Sequence, residues 1–196
     1  MAKETLFFLF SVSVTTLLLS FFTAFVFTKA FPMSIFLSNA IRVSGFVFPF
    51  FYVLSNVLSR FANIEFIKWF YTIMSVGAGV AFYLLLGAIL LAVFLLLYKI
   101  LGKSMPVFIP SSILLLSVGL FFLGLGQARY VKKVSYDVVI DNLPSGWEDK
   151  KAILFSDTHY GLVNNKKAAQ RLVDLVEKEN PDMVFIAGDF FDGPDI

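Results

Sequence analysis

The chain has 196 residues, 58% of them hydrophobic and 15% charged, with a mean hydropathy of +0.82. Soluble domains carry about 25% charged residues, so an ordinary soluble globular protein is excluded. The formal net charge is +2, but residues 1–128 hold seven basic and two acidic residues whereas residues 129–196 hold nine and twelve, so two differently built parts are joined there.

Four uncharged runs occupy the first part, at residues 5–28, 43–59, 69–98 and 104–128. A helix that crosses a bilayer needs about 20 predominantly apolar residues, within a range of about 17–25. The first, third and fourth runs meet that length. The second is at the lower limit and contains Pro49 and Asn56, but it becomes long enough if Arg42 snorkels and the helix begins near Ile35. Four spans are therefore expected. Lys3 ahead of the first run would suit a secretory signal, yet the run exceeds the about 7–15 apolar residues of such a signal, and residues 21–27 offer no small-X-small cleavage site. A retained anchor is the expectation.

Ser75, Gly77, Gly79, Ala81 and Gly87 in the third run, and Gly119, Gly124 and Gly126 in the fourth, are small residues of the kind that let helices approach closely. Gly77-Ala78-Gly79 and Gly124-Leu125-Gly126 do not open dinucleotide fingerprints, because neither lies between a soluble strand and a helix. No run carries an intramembrane acid, base or histidine that would mark an ion or proton path, which argues against a transporter. Glu65 lies in a short connection and reads as a solvated loop charge.

Orientation follows from lysine and arginine in the short loops. With four spans and an internal N-terminus, Lys3, Arg60, Lys68, Arg129, Lys132 and Lys133 lie inside and Lys29, Arg42, Lys99 and Lys103 outside. A three-span arrangement without the second run puts seven inside against three. Both place the C-terminal part in the cytoplasm. Residues 129–133 then form a basic juxtamembrane linker that leaves little slack before the first soluble element. No cysteine is present, which excludes disulfides and thiolate-bound zinc, and the basic excess lies beside apolar runs, so no nucleic acid partner is expected.

From Val134 the period changes. Val134, Tyr136, Val138 and Ile140 alternate with polar residues in the rhythm of a half-buried strand, and Leu143-Pro144-Ser145-Gly146 reads as a turn. Ala152-Ile153-Leu154-Phe155 and Met183-Val184-Phe185-Ile186-Ala187 lack alternation and read as buried strands covered on both faces. Between them Ala168, Ala169, Leu172, Val173 and Val176 recur at helical spacing, with Asn164 or Asn165 as N-cap and Glu179-Asn180-Pro181 as the stop. Strand, helix and strand in about 35 residues make a βαβ unit with parallel strands.

Ligands in open α/β sheets collect beyond the carboxyl ends of the strands. Directly after the first strand come Ser156, Asp157, Thr158, His159, Tyr160 and Gly161, and after the second Gly188, Asp189, Phe190, Phe191, Asp192 and Gly193. If the chain stays extended through Thr158, Asp157 and His159 point to one side, and Asp189 approaches from the neighbouring strand. Carboxylate with imidazole is a normal ligand set for a divalent transition metal. Gly188 and Gly193 permit tight backbone turns around it. Loop composition alone would explain a single Asp-X-His. Asp-X-His closing one strand and Gly-Asp-X-X-Asp-Gly closing the next specify residue type, order and context together.

At these residues the chain resembles the calcineurin-like metallophosphoesterase family, in particular its membrane-anchored bacterial-type members. Residues 153–159 look like the first metal motif and residues 186–193 like the second. The resemblance implies that Asp157 and His159 bind one metal, that Asp189 bridges two, and that Asp192 supports the site. It implies two divalent ions, manganese, iron or zinc, and an activated water that attacks a phosphoester. The expected fold is a multi-span α-helical membrane domain in residues 1–128 followed, in residues 134–196, by the first part of an α/β calcineurin-like phosphoesterase domain, a βαβ unit that is incomplete. The family continues with Gly-Asn-His and Gly-His-X-His motifs that this sequence lacks, which implies either a fragment of a longer, active protein or a truncated, inactive one. The fragment is expected, itself inactive, because residues 134–196 are too few to bury a domain alone, with the bilayer and a phosphoester as partners. Anchoring beside the bilayer makes a lipid-linked phosphate or pyrophosphate ester a candidate substrate. The competing reading is a non-catalytic membrane scaffold or binding module that keeps only the βαβ shape.

Overall fold

A computed structural model describes residues 2–61 and 64–191. The chain divides between Gln127 and Ala128 into two compact units. The first holds four helices, α1 (Ala2–Ala30), α2 (Ile35–Phe61), α3 (Glu65–Ile100) and α4 (Phe108–Gln127), each with a segment long and apolar enough to cross a membrane.

Local sequence sets the helix ends. α2 starts at Ile35, ahead of its uncharged run, because Pro32 breaks the chain and Ser34 caps the new helix, its Oγ accepting from the Leu37 N–H at 3.3 Å. Pro49 lies within α2 and is buried. α3 runs past its apolar stretch at both ends. Glu65 occupies the first turn, paired with Lys68 at 3.0 Å, and Lys99 the last, each sign favourable to the helix dipole. α4 begins later than expected, at Phe108. Pro106 precedes it, and Pro110 falls in the first turn, where a missing N–H leaves no bond unmade.

α1 packs on α2 and α3, α2 on α3, and α3 on α4. The core joins Val26, Phe27 and Ala30 of α1 to Ala88 and Leu91 of α3 and Ile113 of α4. Gly87 is the tightest approach: a methyl group there would overlap the Ser117 hydroxyl, which is itself buried and donates to the Ile113 carbonyl at 2.9 Å. A methyl group at Gly124 would likewise strike the Tyr83 hydroxyl. At Gly119 and Gly126 it would meet nothing within 4 Å, so these two do not serve the packing expected of them. Outward-facing Phe36, Phe66, Leu115 and Leu123 are exposed, as on helices whose outer solvent is lipid.

The second unit contains β1 (Ala152–Phe155), α5 (Lys166–Glu179) and β2 (Met183–Ile186). The strands pair in parallel, Ala152 opposite Met183 and Phe155 opposite Ile186, with α5 as the crossover that parallel pairing requires. Asn165 caps α5, its Oδ1 accepting from the Lys167 N–H at 3.0 Å, and Asn180 ends it with a left-handed φ of 44°. At the opposite end of the sheet from the candidate site, Glu179 accepts from Lys133 at 2.7 Å and Lys151 at 2.5 Å, while Asp182 accepts from Lys150 at 2.8 Å and the Lys151 N–H at 2.9 Å. These bonds hold both carboxyls below their ordinary range, Glu179 at about 2.

Two expectations fail here. Residues 134–140 form no strand, and Tyr136 and Val139 are 82% and 92% exposed. Alternation supplies two faces but not a partner, and among the described residues β1 and β2 pair only with each other. Nor are β1 and β2 buried: Leu154, Val184, Phe185 and Ile186 are all exposed. Their apolar composition suits a sheet covered on both faces, whereas an apolar groove of about 480 Å³ lies open between Phe155, Val184 and Phe190 and the Leu172–Val176 face of α5.

Candidate metal centre

The loops that follow β1 and β2 leave the sheet together because the strands are parallel and in register. Backbone bonds continue the ladder beyond it. Ala187 N–H donates to the Phe155 carbonyl at 2.9 Å, Asp157 N–H to Gly188 at 3.4 Å, His159 N–H to Asp189 at 3.0 Å and Tyr160 N–H to Phe190 at 2.9 Å. The Thr158 hydroxyl adds a bond to the Phe190 carbonyl at 2.9 Å, and Asn164 Nδ2 donates to the Thr158 carbonyl at 3.2 Å. Below these loops Phe190 meets Phe155, Tyr160 and Phe191 with centroids 6.3, 5.3 and 4.5 Å apart. Burial in this ring cluster raises the pKa of Tyr160.

Asp157, His159 and Asp189 each bring one ligand atom within 4.8 Å of the other two, and all three are exposed. Thr158 does not continue the strand as expected. Asp157 has φ 55° and His159 φ 43°, both left-handed, and Asp189 shares that conformation at φ 42° behind Gly188 at 83°. The side chains therefore converge because the backbone curls, not because a pleat sends alternate residues to one face. A non-glycine residue in this region is uncommon, although Asp and His tolerate it better than most.

The donor set fits a divalent cation. Two carboxylates and one imidazole, without thiolate, are ligands that manganese, iron and zinc accept. His159 Nε2 and Asp189 Oδ2 stand 4.0 Å apart, too far for a hydrogen bond and close to twice a metal–ligand bond of about 2.1 Å. Asp192 and Gly193 lie outside the described residues. Sequence reasoning gave no part in the site to Thr158 and Phe190, which tie the two loops to each other, or to Asn164, which it offered only as a helix cap and which braces the first loop. Hydroxyl and amide side chains are so common in loops that only the pairing of the strands identifies them.

Residues 150–196 match the family model for calcineurin-like phosphoesterase. A protein of Danio rerio named "Transmembrane protein with metallophosphoesterase domain" is 34% identical over 65 residues, which is 33% of this chain and 15% of that relative. The chain thus spans well under a fifth of its relative's length. No solved structure matches it. Four helices long and apolar enough to cross a membrane thus precede a segment, residues 150–196, that is similar to part of a calcineurin-like phosphoesterase domain.

Proposed function

We propose that the protein to which this chain belongs is a membrane-anchored, metal-dependent phosphoester hydrolase, and that Asp157, His159 and Asp189 hold its metal. The convergence of those three side chains at the carboxyl ends of two paired strands is the observation that carries the reading. Asp157 and His159 would hold one ion and Asp189 would serve that ion and a second, with Asp192 given a supporting role by its place in the sequence motif. A bound divalent ion supplies positive charge that favours attack of water on phosphorus. The protein's share is positional. The His159 N–H and the Thr158 hydroxyl, bonded to the loop after β2, fix the spacing of ligands from two strands, which are otherwise free to move with their loops. Exposure of all three side chains leaves them accessible to a phosphoester.

The lysine and arginine distribution supports a cytoplasmic location for the second unit. A lipid-linked phosphoester is the substrate that this tether favours. In the full-length protein, phosphoesterase activity assayed with manganese or zinc should vanish on chelation and in Asp189→Asn, and should fall by about 10–100-fold in Asp192→Asn, the usual loss for a residue that orients a ligand. Turnover should also be higher on phosphoesters in vesicles than on a soluble aryl phosphate. Full activity of Asp189→Asn would overturn the metal assignment, and equal turnover on both substrates the lipid-linked one.

A further inference from the structure

We propose that Arg42 and Lys29, at one end of the helical unit, form a binding site for the phosphodiester of a phospholipid headgroup. Arg42 lies seven residues past Ile35, so its Cα is about 10 Å along α2 from the first residue of the helix. Its Nε donates to the Thr28 hydroxyl of α1 at 3.0 Å, and its guanidinium carbon stands 5.4 Å from the Phe25 ring centroid. Lys29 Nζ approaches the same ring at 5.7 Å. Two cations from two helices are thereby gathered over one aromatic ring.

Neither has an acidic partner among the described residues. Residues 1–128 contain two acids, Glu4 at the opposite end of α1 and Glu65, which is paired with Lys68 at 3.0 Å. A charge at membrane depth is expensive unless it is matched. The Nε bond to Thr28 fixes the guanidinium plane and leaves both Nη groups, which find no acceptor among the described residues, as a fork. That fork matches two oxygens of a phosphate, and the Lys29 ammonium adds a point charge beside it. Lys29 directly follows the uncharged run 5–28 and Arg42 directly precedes the run 43–59, and the molecule that carries such oxygens at the edge of a bilayer's apolar layer is the lipid headgroup. Both leaflets contain phosphates, so the site does not depend on which way the chain is oriented. Basic pockets between membrane helices hold headgroups by this chemistry.

The test uses the full chain in dodecyl maltoside with three probes: dioleoylphosphatidylglycerol, dioleoylglycerol and inorganic phosphate. Retention is read by native mass spectrometry and by the shift in Tm. Phosphatidylglycerol should bind and raise Tm, and the other two should not. Lys29→Gln, which leaves the Arg42–Thr28 bond in place, should weaken retention about fivefold, the usual worth of one cation near a lipid surface. Arg42→Gln should weaken it further and Arg42→Lys should restore only part, because the fork is lost. Lys103→Gln removes equal charge elsewhere and should change retention less than twofold. Retention unchanged in Lys29→Gln, an equal loss in Lys103→Gln, or equal stabilisation by dioleoylglycerol or inorganic phosphate would each overturn the site.

Discussion

Replacing His159 with glycine separates a metal-binding role from a structural one, because the two predict opposite signs. The imidazole makes no hydrogen bond among the described residues, is 48% exposed, and faces Asp189 across 4.0 Å. The backbone bond from the His159 N–H to Asp189 survives the change. Holding an L-residue at the left-handed φ of 43° costs about 1–2 kcal/mol, with histidine toward the lower end, and glycine removes that cost. Against this, glycine gains about 0.5–1 kcal/mol of freedom in the unfolded chain. The balance is neutral to about 1 kcal/mol stabilising, that is, up to about fivefold greater amide protection in a local opening. Hydrogen exchange of β1 and β2 amides in His159→Gly should therefore stay level or slow, while manganese binding is lost. Protection falling tenfold or more would mean that the imidazole holds the loops together, and the reasoning from exposure and φ would be wrong.

The same geometry predicts further outcomes. The Glu179 carboxyl, held at about 2 rather than 4.5 by Lys133 and Lys151, contributes stability that is complete above pH 4.5 and lost as the pH falls toward 2. Denaturation followed through Trp147 in a Trp69→Phe background should be less pH-dependent in that window in Glu179→Gln, and an unchanged profile would refute the pairing. Gly87→Val should destabilise the helical unit by about 1–3 kcal/mol through overlap with Ser117, whereas Gly119→Val, with open space around it, should cost under about 0.5 kcal/mol. Equal melting temperatures of the two variants in detergent would contradict that packing. A reporter fused after Ile196 should lie in the cytoplasm, and reporter activity on the other face would reverse the lysine and arginine argument.

The four helices were legible in sequence because the bilayer imposes a length, and any uncharged run that reaches it declares itself. Arg42 blurred the second. Counted as a boundary it shortens the run to residues 43–59, yet α2 passes through it from Ile35, with Nε of the guanidinium bonded to Thr28 and its carbon 5.4 Å from the Phe25 ring of the preceding helix. Those contacts are a tertiary fact and leave no local trace. The βαβ unit was legible for the converse reason, since Asn165, Asn180 and the two apolar tetrads carry their signals within a few residues. Residues 134–140 misled because alternation describes a strand's faces and says nothing about whether an edge is there to receive it.

The candidate site shows the same division between local and non-local information. Residue types and their order, Asp157 and His159 after one strand and Asp189 after the next, are written in the chain. The way they meet is not. An extended backbone would have carried Asp157 and His159 to one side by the strand's own period, but the left-handed turn at both residues is set by bonds to the other loop, from the His159 N–H to Asp189, from Tyr160 to Phe190, and from the Thr158 hydroxyl to Phe190. Each loop thus holds its partner in a conformation neither adopts readily alone. Backbone strain persists where the surroundings over-determine it, and it gathers at sites whose side chains have work beyond stability. Asn142, Asp149 and Asn180 are left-handed as well, so it is the convergence of three ligand atoms within 4.8 Å, more than the backbone conformation, that sets Asp157, His159 and Asp189 apart.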